Sequence, residues 1–378
     1  MECIEEHPYL IELSKTKGFE DSVYMLSFQD SRDNALKFIS EYGAGISISP
    51  NGLKVLECMD LKSEFCKVSE QPKNTVFFSN NKKITDILSE VRTTSRKNLY
   101  KILLKKYLSL DGEIFFDHRL EHLDIHNKNI TFSNTKSFNV CHVAACDGIK
   151  SICQEMISQS NVKPQFSGYS VWRAIFPHKQ NEINFYLGSN FHIVTYPIDR
   201  KRISFIAAVK SKIEYIESWK EKGTLSELLS EIEFDILKKY PSIEHSSDIY
   251  KWGIYTRPEL KNLSYQNMTF FGDAAHPIVP FIGQGASLAL EDVFIFGSLL
   301  SKYKNDFKAT QKDYDSLRLK RIRSIHKKSL NQAKLNHLSN PMTVFARNIL
   351  MKYTNVILKR TNSIWSYDVK KVIKSKLY

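Results

Sequence analysis

The run Phe270-Phe271-Gly272-Asp273-Ala274-Ala275-His276-Pro277-Ile278-Val279-Pro280-Phe281-Ile282-Gly283-Gln284-Gly285 constrains this chain more than any other stretch. Before it, Met268 to Phe271 is apolar enough to predict a buried strand. After it, Leu288, Val293, Phe296, Leu299 and Leu300 recur at helical spacing and predict a buried helix over Ala286 to Leu300. An acid therefore ends a strand, a loop with two prolines follows, and Gly283 and Gly285 open a helix. Asp273 can accept hydrogen bonds from hydroxyls there, and Ala274 and Ala275 are small enough for a flat ligand to reach the backbone. The two glycines leave the N–H groups of the helix start uncovered, where negative charge is stabilised. A Gly-Asp pair alone would describe any packed strand, loop and helix; sixteen residues at fixed spacing are far more specific.

The rest of the chain is large enough to house such a site. At 378 residues, 42% hydrophobic and 25% charged, it suits two or so domains with a full core. No run of eighteen apolar residues predicts a membrane span. Met1-Glu2-Cys3-Ile4-Glu5-Glu6 is acidic and lacks the apolar core of a signal peptide. The six cysteines show no metal spacing and read as reduced thiols of a cytoplasmic protein. The net charge of +13 is uneven: Ser301 to Tyr378 holds 19 Lys+Arg against 4 Asp+Glu, leaving 35 against 37 before it. Such a basic region can attract an anionic membrane surface, although solvated helix faces explain most charge runs. No zinc-finger, RNA-binding or Walker motif points to nucleic acid.

Taken in order, Pro8 to Lys17 reads as a short helix and Asp21 to Phe28 as a strand. Gly43-Ala44-Gly45 is a weak dinucleotide fingerprint, since Ile48 stands where a third glycine belongs. A helix is predicted over Gly52 to Asp60, a strand at Thr75 to Phe78, a turn at Asn80 to Lys83 and a helix over Thr93 to Tyr107. Short strands follow at Glu113 to Phe116, Leu120 to Ile125 and Ile130 to Phe132, then one strand over Phe138 to Ala145. Asp147-Gly148 would suit a hairpin, but Ile149, Ile152, Cys153 and Met156 recur at helical spacing, so the chain reads strand, Asp-Gly, helix. From Phe166 to Tyr255 alternation predicts an antiparallel sheet with one buried face. His192 has no metal partner at a ligand spacing and reads as structural. A long basic helix begins near Gln311 and breaks at Asn340-Pro341, and an apolar helix is expected over Val344 to Leu358.

Three stretches together resemble the FAD-dependent aromatic hydroxylases, the salicylate-hydroxylase-like single-component flavoprotein monooxygenases. They are Gly43 to Asn51, Asp147-Gly148 and Gly272 to Gly285, and the resemblance extends over roughly Lys17 to Asp368. It implies that Asp273 holds a ribityl hydroxyl of FAD, and that the helix from Gly283-Gln284-Gly285, after Pro280, points at the flavin's pyrimidine edge. It implies that Gly45 lies by the flavin. Arg96, Leu99 and Leu103 fit an Arg-x-x-Leu-x-x-x-Leu signature whose arginine contacts FAD. Asp147 and Gly148 match the family's middle motif, with Cys146 where alanine is usual, an acid placed between FAD and the nicotinamide route. Trp172-Arg173 and Tyr196-Pro197 stand where the substrate domain has Trp-Arg and Tyr-Pro, so Tyr169, Arg173, Tyr196 and Pro197 become candidates for a pocket over the flavin. Packing on a sheet face is the plain alternative for each aromatic.

The implied architecture is α/β: a FAD-binding Rossmann-like domain with an inserted antiparallel substrate-binding sheet and C-terminal helices. Residues 1–165 would form the first part of the FAD domain, 166–261 the substrate sheet, and 262–378 the second part with the helices. The implied reaction uses NAD(P)H and O₂ to hydroxylate a small aromatic substrate, and needs neither a protein nucleophile nor a metal. Two departures stand out. The first strand and its Gly-x-Gly-x-x-Gly loop have no counterpart, as if the chain began partway along the first helix, and no acid ends the second strand, where Met25, Leu26 and Ser27 stand. A non-catalytic remnant that does not hold FAD is therefore a rival reading, and a peripheral-membrane hydroxylase of a quinone precursor is another.

Overall fold

The computed structural model describes residues 25–27, 45–157, 163–215, 221–232, 234–246 and 248–377. The helix expected over Pro8 to Lys17 and the Gly43-Ala44 pair lie outside these. Of the strand expected over Asp21 to Phe28, Met25–Ser27 (β1) is described and is extended. The chain then runs through β2 (Gly45–Ile48), helices α1 (Pro50–Cys58) and α2 (Lys62–Lys67), the hairpin β3 (Asn74–Ser79) and β4 (Lys82–Leu88), β5 (Arg92–Ser95) and α3 (Arg96–Leu108). Short strands β6 (Glu113–Phe115), β7 (Leu120–Asp124), β8 (Asn129–Phe132), β9 (Ser137–Asn139) and β10 (Val143–Ala145) lead to α4 (Ile152–Ile157). Longer strands β11 (Gln165–Pro177), β12 (Ile183–Leu187), β13 (Phe191–Pro197) and β14 (Arg202–Lys210) follow, then α5 (Leu225–Glu231), α6 (Phe234–Leu237) and β15 (Ile249–Thr256). Strands β16 (Ser264–Tyr265) and β17 (Met268–Phe270) precede the C-terminal helices α7 (Gly285–Lys302), α8 (Phe307–Asn336), α9 (Pro341–Tyr353), α10 (Val356–Trp365) and α11 (Val369–Leu377).

The large sheet has the order β15-β11-β14-β13-β12-β3-β4. Its pairings are antiparallel except β12 with β3, so a hairpin from early in the chain completes a sheet built mainly from Gln165 to Thr256. Register decides which residues share a face. Val171, Ala208 and His192 stand opposite one another across β11, β14 and β13; so do Arg173, Ile206 and Val194, and one step along Ile175, Ser204 and Tyr196. The other face carries Trp172, Phe176, Phe205 and Ile193, which pack under Leu228, Ile236 and Tyr240. The Trp172 indole donates to Glu231 Oε2 at 2.7 Å, so its one polar atom is satisfied at the edge of that core.

The second core surrounds α7. Leu290, Val293, Phe296, Leu299 and Leu300 are buried there with Val55 and Leu56 of α1, Tyr314 and Ile322 of α8 and Ile373 of α11. Two short parallel pairings, β10 with β17 and β1 with β6, belong to separate small sheets on this side.

Three sequence expectations need correction. Thr93 to Ser95 belong to β5, not to a helix. Both threonines are β-branched, and their hydroxyls donate to the carbonyls of Pro197 and Val68, which fits a strand better than a helix turn. The strand expected over Phe138 to Ala145 is two: β9 closes the meander with β8, and β10 starts where Val143 N–H donates to Asn267 O. The helix expected over Val344 to Leu358 breaks at Thr354, whose backbone is extended (φ −131°, ψ 161°) before α10 begins. The Thr354 hydroxyl donates to Leu350 O at 2.6 Å and accepts from Val356 N–H, so it bridges the two helices.

His142 sits beside β10, stacked on Phe307 (centroids 4.4 Å apart) and on Phe296 (5.5 Å). Both ring nitrogens are shielded and have no hydrogen-bond partner among the described residues. Burial pushes the imidazole down to about 3. The unfolded chain binds that proton near pH 6.5 and the native one does not. Stability is therefore fully present above pH 6.5 and falls as pH drops towards 3, by about 1.4 kcal/mol per unit. His142→Phe is expected to remove this slope and to raise the urea midpoint at pH 5 more than at pH 8. An equal shift at both values would refute the account.

Candidate cofactor and substrate cleft

The loop after β17 is buried almost throughout, yet Asp273, Pro280 and Gly283 are exposed. The exposure of the acid follows from how its turn is fastened. Asp292, wholly buried on α7, accepts from Gly272 N–H at 3.2 Å and from His276 Nε2 at 2.5 Å. Between these anchors Gln154 Nε2 donates to Ala274 O, and Arg257 Nη1 donates to Gln154 Oε1 at 2.7 Å. A turn held at Gly272 and Ala274, and at His276 just beyond it, presents the Asp273 side chain outward.

The same helix carries a second buried acid. Glu291 accepts from Asn51 Nδ2 at 2.7 Å, Arg318 Nη1 at 2.8 Å and Arg321 Nη2 at 2.9 Å. Arg318 also donates from Nε to Asp292 Oδ1 at 2.7 Å. Burial alone would raise the Asp292 carboxyl, but His276 and Arg318 outweigh it and hold it below the usual carboxylate range. Burial likewise works against the Arg318 charge, and Asp292 and Glu291 overcome it and raise its pKa. The signal for this network was in the sequence: Glu291-Asp292 interrupts an apolar helix, and an acid pair in such a place needs buried cations.

The start of α7 lies next to this network. Gly283 is left-handed at φ 60°, a conformation that suits glycine, and turns the loop into the helix. A Cβ built on Gly285 meets no atom within 4 Å, so open space lies over the helix start. The Gln284 side chain is not in that space. It is buried, donates from Nε2 to Ser49 Oγ and accepts from Asn51 Nδ2, both at 2.9 Å. The Gln284 side chain is thus engaged within the protein, and its backbone is the part that faces the helix start.

Gly45 approaches the sheet so closely that a Cβ there would lie 2.5 Å from Ser204 and 2.7 Å from the Tyr196 ring. Tyr196 is buried, which raises its phenol pKa although Ser204, Arg173 and Arg96 act the other way. Arg173 is on the same sheet face as Tyr196, and Arg96 directly follows Ser95, the strand partner of Gly45. The Arg173 guanidinium lies 4.7 Å from the Trp252 ring centroid. Pro197 lies at the edge, where its carbonyl accepts from Thr93 Oγ1 at 2.6 Å. Tyr169 belongs to a neighbouring group, edge-on to Phe281 (5.1 Å) and near His337 (4.8 Å). Phe281 and Val279 pack with Val171, Ala208 and Trp252, so the proline loop closes on the sheet face that carries Arg173 and Tyr196.

His192 belongs to this wall as well, which the sequence reading did not foresee. It shares a face with Tyr196, packs edge-on to Phe281 at 5.1 Å, and places Nδ1 3.1 Å from His337 Nε2. His337 Nδ1 lies 2.7 Å from Ala333 O and its Nε2 3.3 Å from Ala208 O, so the ring ties the end of α8 to β14. Burial pushes both imidazoles down, and each pairs in its neutral form. The partner is 145 positions away, and no local pattern announces it.

Asp147 follows β10, whose Ala145 O accepts from Phe271 N–H at 3.0 Å. Its carboxylate accepts from Ser151 Oγ at 2.6 Å and from Cys153 N–H at 2.9 Å, so it fastens the turn into α4, with Gly148 left-handed at φ 71°.

A family model described as "FAD binding domain" matches residues 45–329, and the chain belongs to that family. Among its relatives, 3-amino-4-hydroxybenzoate 2-monooxygenase PtnB3 of Streptomyces platensis is 28% identical over 220 residues, covering 55% of this chain and 54% of that protein. The chain thus spans about half the length of that relative. Salicylate hydroxylase of Pseudomonas putida is 21% identical over 373 residues, 87% of this chain and 84% of that one. In three dimensions the chain is similar to CtdE in complex with FAD and its substrate (TM-score 0.81, 18% identity, 99% of this chain and 95% of that chain). It is also similar to a salicylate hydroxylase substrate complex (TM-score 0.77, 18% identity, 97% and 94%). These likenesses bear out the α/β fold.

Proposed function

We propose that this protein is a FAD-dependent monooxygenase that uses NAD(P)H and O₂ to hydroxylate a small aromatic substrate. One observation carries the reading: a buried loop leaves Asp273, Pro280 and Gly283 exposed, beside open space over the Gly285 helix start. That arrangement fits FAD. Asp273 accepts hydroxyls of the flavin side chain, and the start of α7 stabilises negative charge on the ring system. FAD, when bound, takes electrons from NAD(P)H and activates O₂. The chain's own residues shape and shield the cleft. Gly45, Arg96 and the Pro280 to Gly285 loop hold the cofactor, with Asp147 and Gly148 setting the turn between it and the nicotinamide approach.

Tyr169, Arg173, Tyr196 and Pro197 form the substrate side, with His192 added. Relatives named for hydroxybenzoates support an aromatic acid, whose carboxylate Arg173 would meet while Tyr196, kept neutral by burial, donates from its hydroxyl. Residues 1–165 and 262–378 would form the FAD-binding domain around a substrate domain at 166–261. The free thiols of Cys66 and Cys141 support a reducing, cytoplasmic setting.

The test is flavin retention followed by turnover. Purified protein is expected to keep FAD absorbance through gel filtration and to oxidise NAD(P)H faster with an aromatic acid. Gly285→Val is expected to leave the apoprotein's urea midpoint unchanged, since the space there is open, and to weaken FAD affinity at least about tenfold by filling the cradle. A protein that stays colourless in excess FAD overturns the reading and leaves a non-catalytic remnant.

A further inference from the structure

Helix α9 is built inside out. Its one buried side chain is Arg347, which donates from Nη1 to Leu335 O at 3.1 Å and from Nη2 to Ser79 Oγ at 3.2 Å. Most of its apolar side chains face the other way, with half-buried Val344 and Met351 on the Arg347 side. Met342 is 81% exposed, Phe345 67% and Tyr353 72%, with Ile349 and Leu350 exposed too. At 3.6 residues per turn, Met342, Phe345, Ala346, Ile349 and Tyr353 fall within an arc of about 100°, and Leu350 flanks it. The next helix adds exposed Val356 and Leu358. An amphipathic helix of a globular protein turns its apolar arc inward; here the arc is left uncovered.

Charge selects what covers it. From Pro341 to Trp365 there are four basic residues, Arg347, Lys352, Lys359 and Arg360, and no acid. Lys352 and Lys359 are exposed beside the apolar arc. A second copy of this chain on the same face would bring these cations against their own kind. An anionic lipid surface neutralises them and takes up the apolar arc, which is how an interfacial helix binds.

We infer that α9, with the start of α10, docks this protein on an anionic membrane surface, with Met342, Phe345, Ile349 and Tyr353 inserted among the lipids. No helix among the described residues is long and apolar enough to cross a membrane, so the contact is one of lying on the surface. This inference is independent of the flavin reading and is measured without turnover.

The experiment is co-sedimentation of the full chain with phosphatidylcholine vesicles and with vesicles that also contain phosphatidylglycerol. Binding is expected only to the second kind and falls as salt is raised. Phe345→Ser with Ile349→Ser is expected to reduce binding at least about tenfold, and Lys352→Gln with Lys359→Gln several-fold, with urea midpoints unchanged because these side chains are exposed. Protein left in the supernatant with anionic vesicles overturns the inference. So does full binding by the apolar double variant. A dimer at sedimentation equilibrium that the same variant dissociates, with no vesicle binding, would assign the face to a second copy instead.

Discussion

Arg318→Met is expected to destabilise the protein by about 3–5 kcal/mol, the usual cost of removing one partner of a buried ion pair. Arg318 is wholly buried and serves two wholly buried acids. Without it Glu291 keeps Arg321, but among the described residues Asp292 keeps the hydrogen bonds from His276 and Gly272 and no guanidinium. The Asp292 carboxyl then loses the guanidinium charge that helps to hold it down, so its pKa rises. A depressed carboxyl supports folding above its unfolded pKa and loses that support as pH falls through its native value. Raising the native value moves the loss upward, so acid unfolding of the variant should begin at higher pH than in the parent. Urea titrations between pH 7 and pH 4 measure both effects. Adding Asp292→Asn should restore part of the stability at neutral pH and flatten the acid limb. A variant as stable as the parent would mean that the network carries no net stabilisation.

Asp273→Ala is expected to weaken FAD binding about ten- to hundredfold, the loss of one or two hydrogen bonds to a charged acceptor. The side chain is exposed, so the apoprotein's unfolding free energy should fall by less than about 1 kcal/mol, under the loss in FAD binding. Fluorescence titration of apoprotein with FAD separates the two readouts. Asp273→Asn should fall between, since an amide oxygen accepts with less strength than a carboxylate. Unchanged affinity in Asp273→Ala would remove this residue from the cofactor site and leave the helix start as its main support.

What could be read from the sequence, and what could not, divides along physical lines. The loop from Gly272 to Gly285 was legible because a strand, an acid, prolines and glycines at fixed spacing leave few backbone solutions. The large sheet was legible because its strands are rich in β-branched and aromatic residues bounded by turns, although β14 is buried on both faces and not on one as the expected alternation implies. Thr93 and Thr94 misled because Arg96 begins a helix immediately after them and their own strand bonds run to Pro197 and Val68, far along the chain. His192 was set aside because its partner is His337, and the two meet only when α8 crosses the sheet. Glu291 and Asp292 were passed over inside an apolar helix, although their charge was the clearest sign that α7 needed α8. The inversion of α9 was hidden because an apolar arc reads the same whether it faces a core or leaves one.

The buried network also sets an order of assembly. Asn51 and Glu291 are 240 positions apart, and the Tyr367 hydroxyl that accepts from Arg318 Nη1 comes 49 positions after that arginine. During synthesis at about 5–20 residues per second, Glu291 and Asp292 emerge well before Arg318 and Arg321 can neutralise them. The sheet from β11 to β15 can close earlier, since its partners are near in sequence. The sheet is thus ready while the second core waits for α8, and until then the apolar flanks of α7 are exposed. Conditions that slow translation through α8 should lengthen that exposure and increase the demand for chaperones, more than the same delay placed within the sheet.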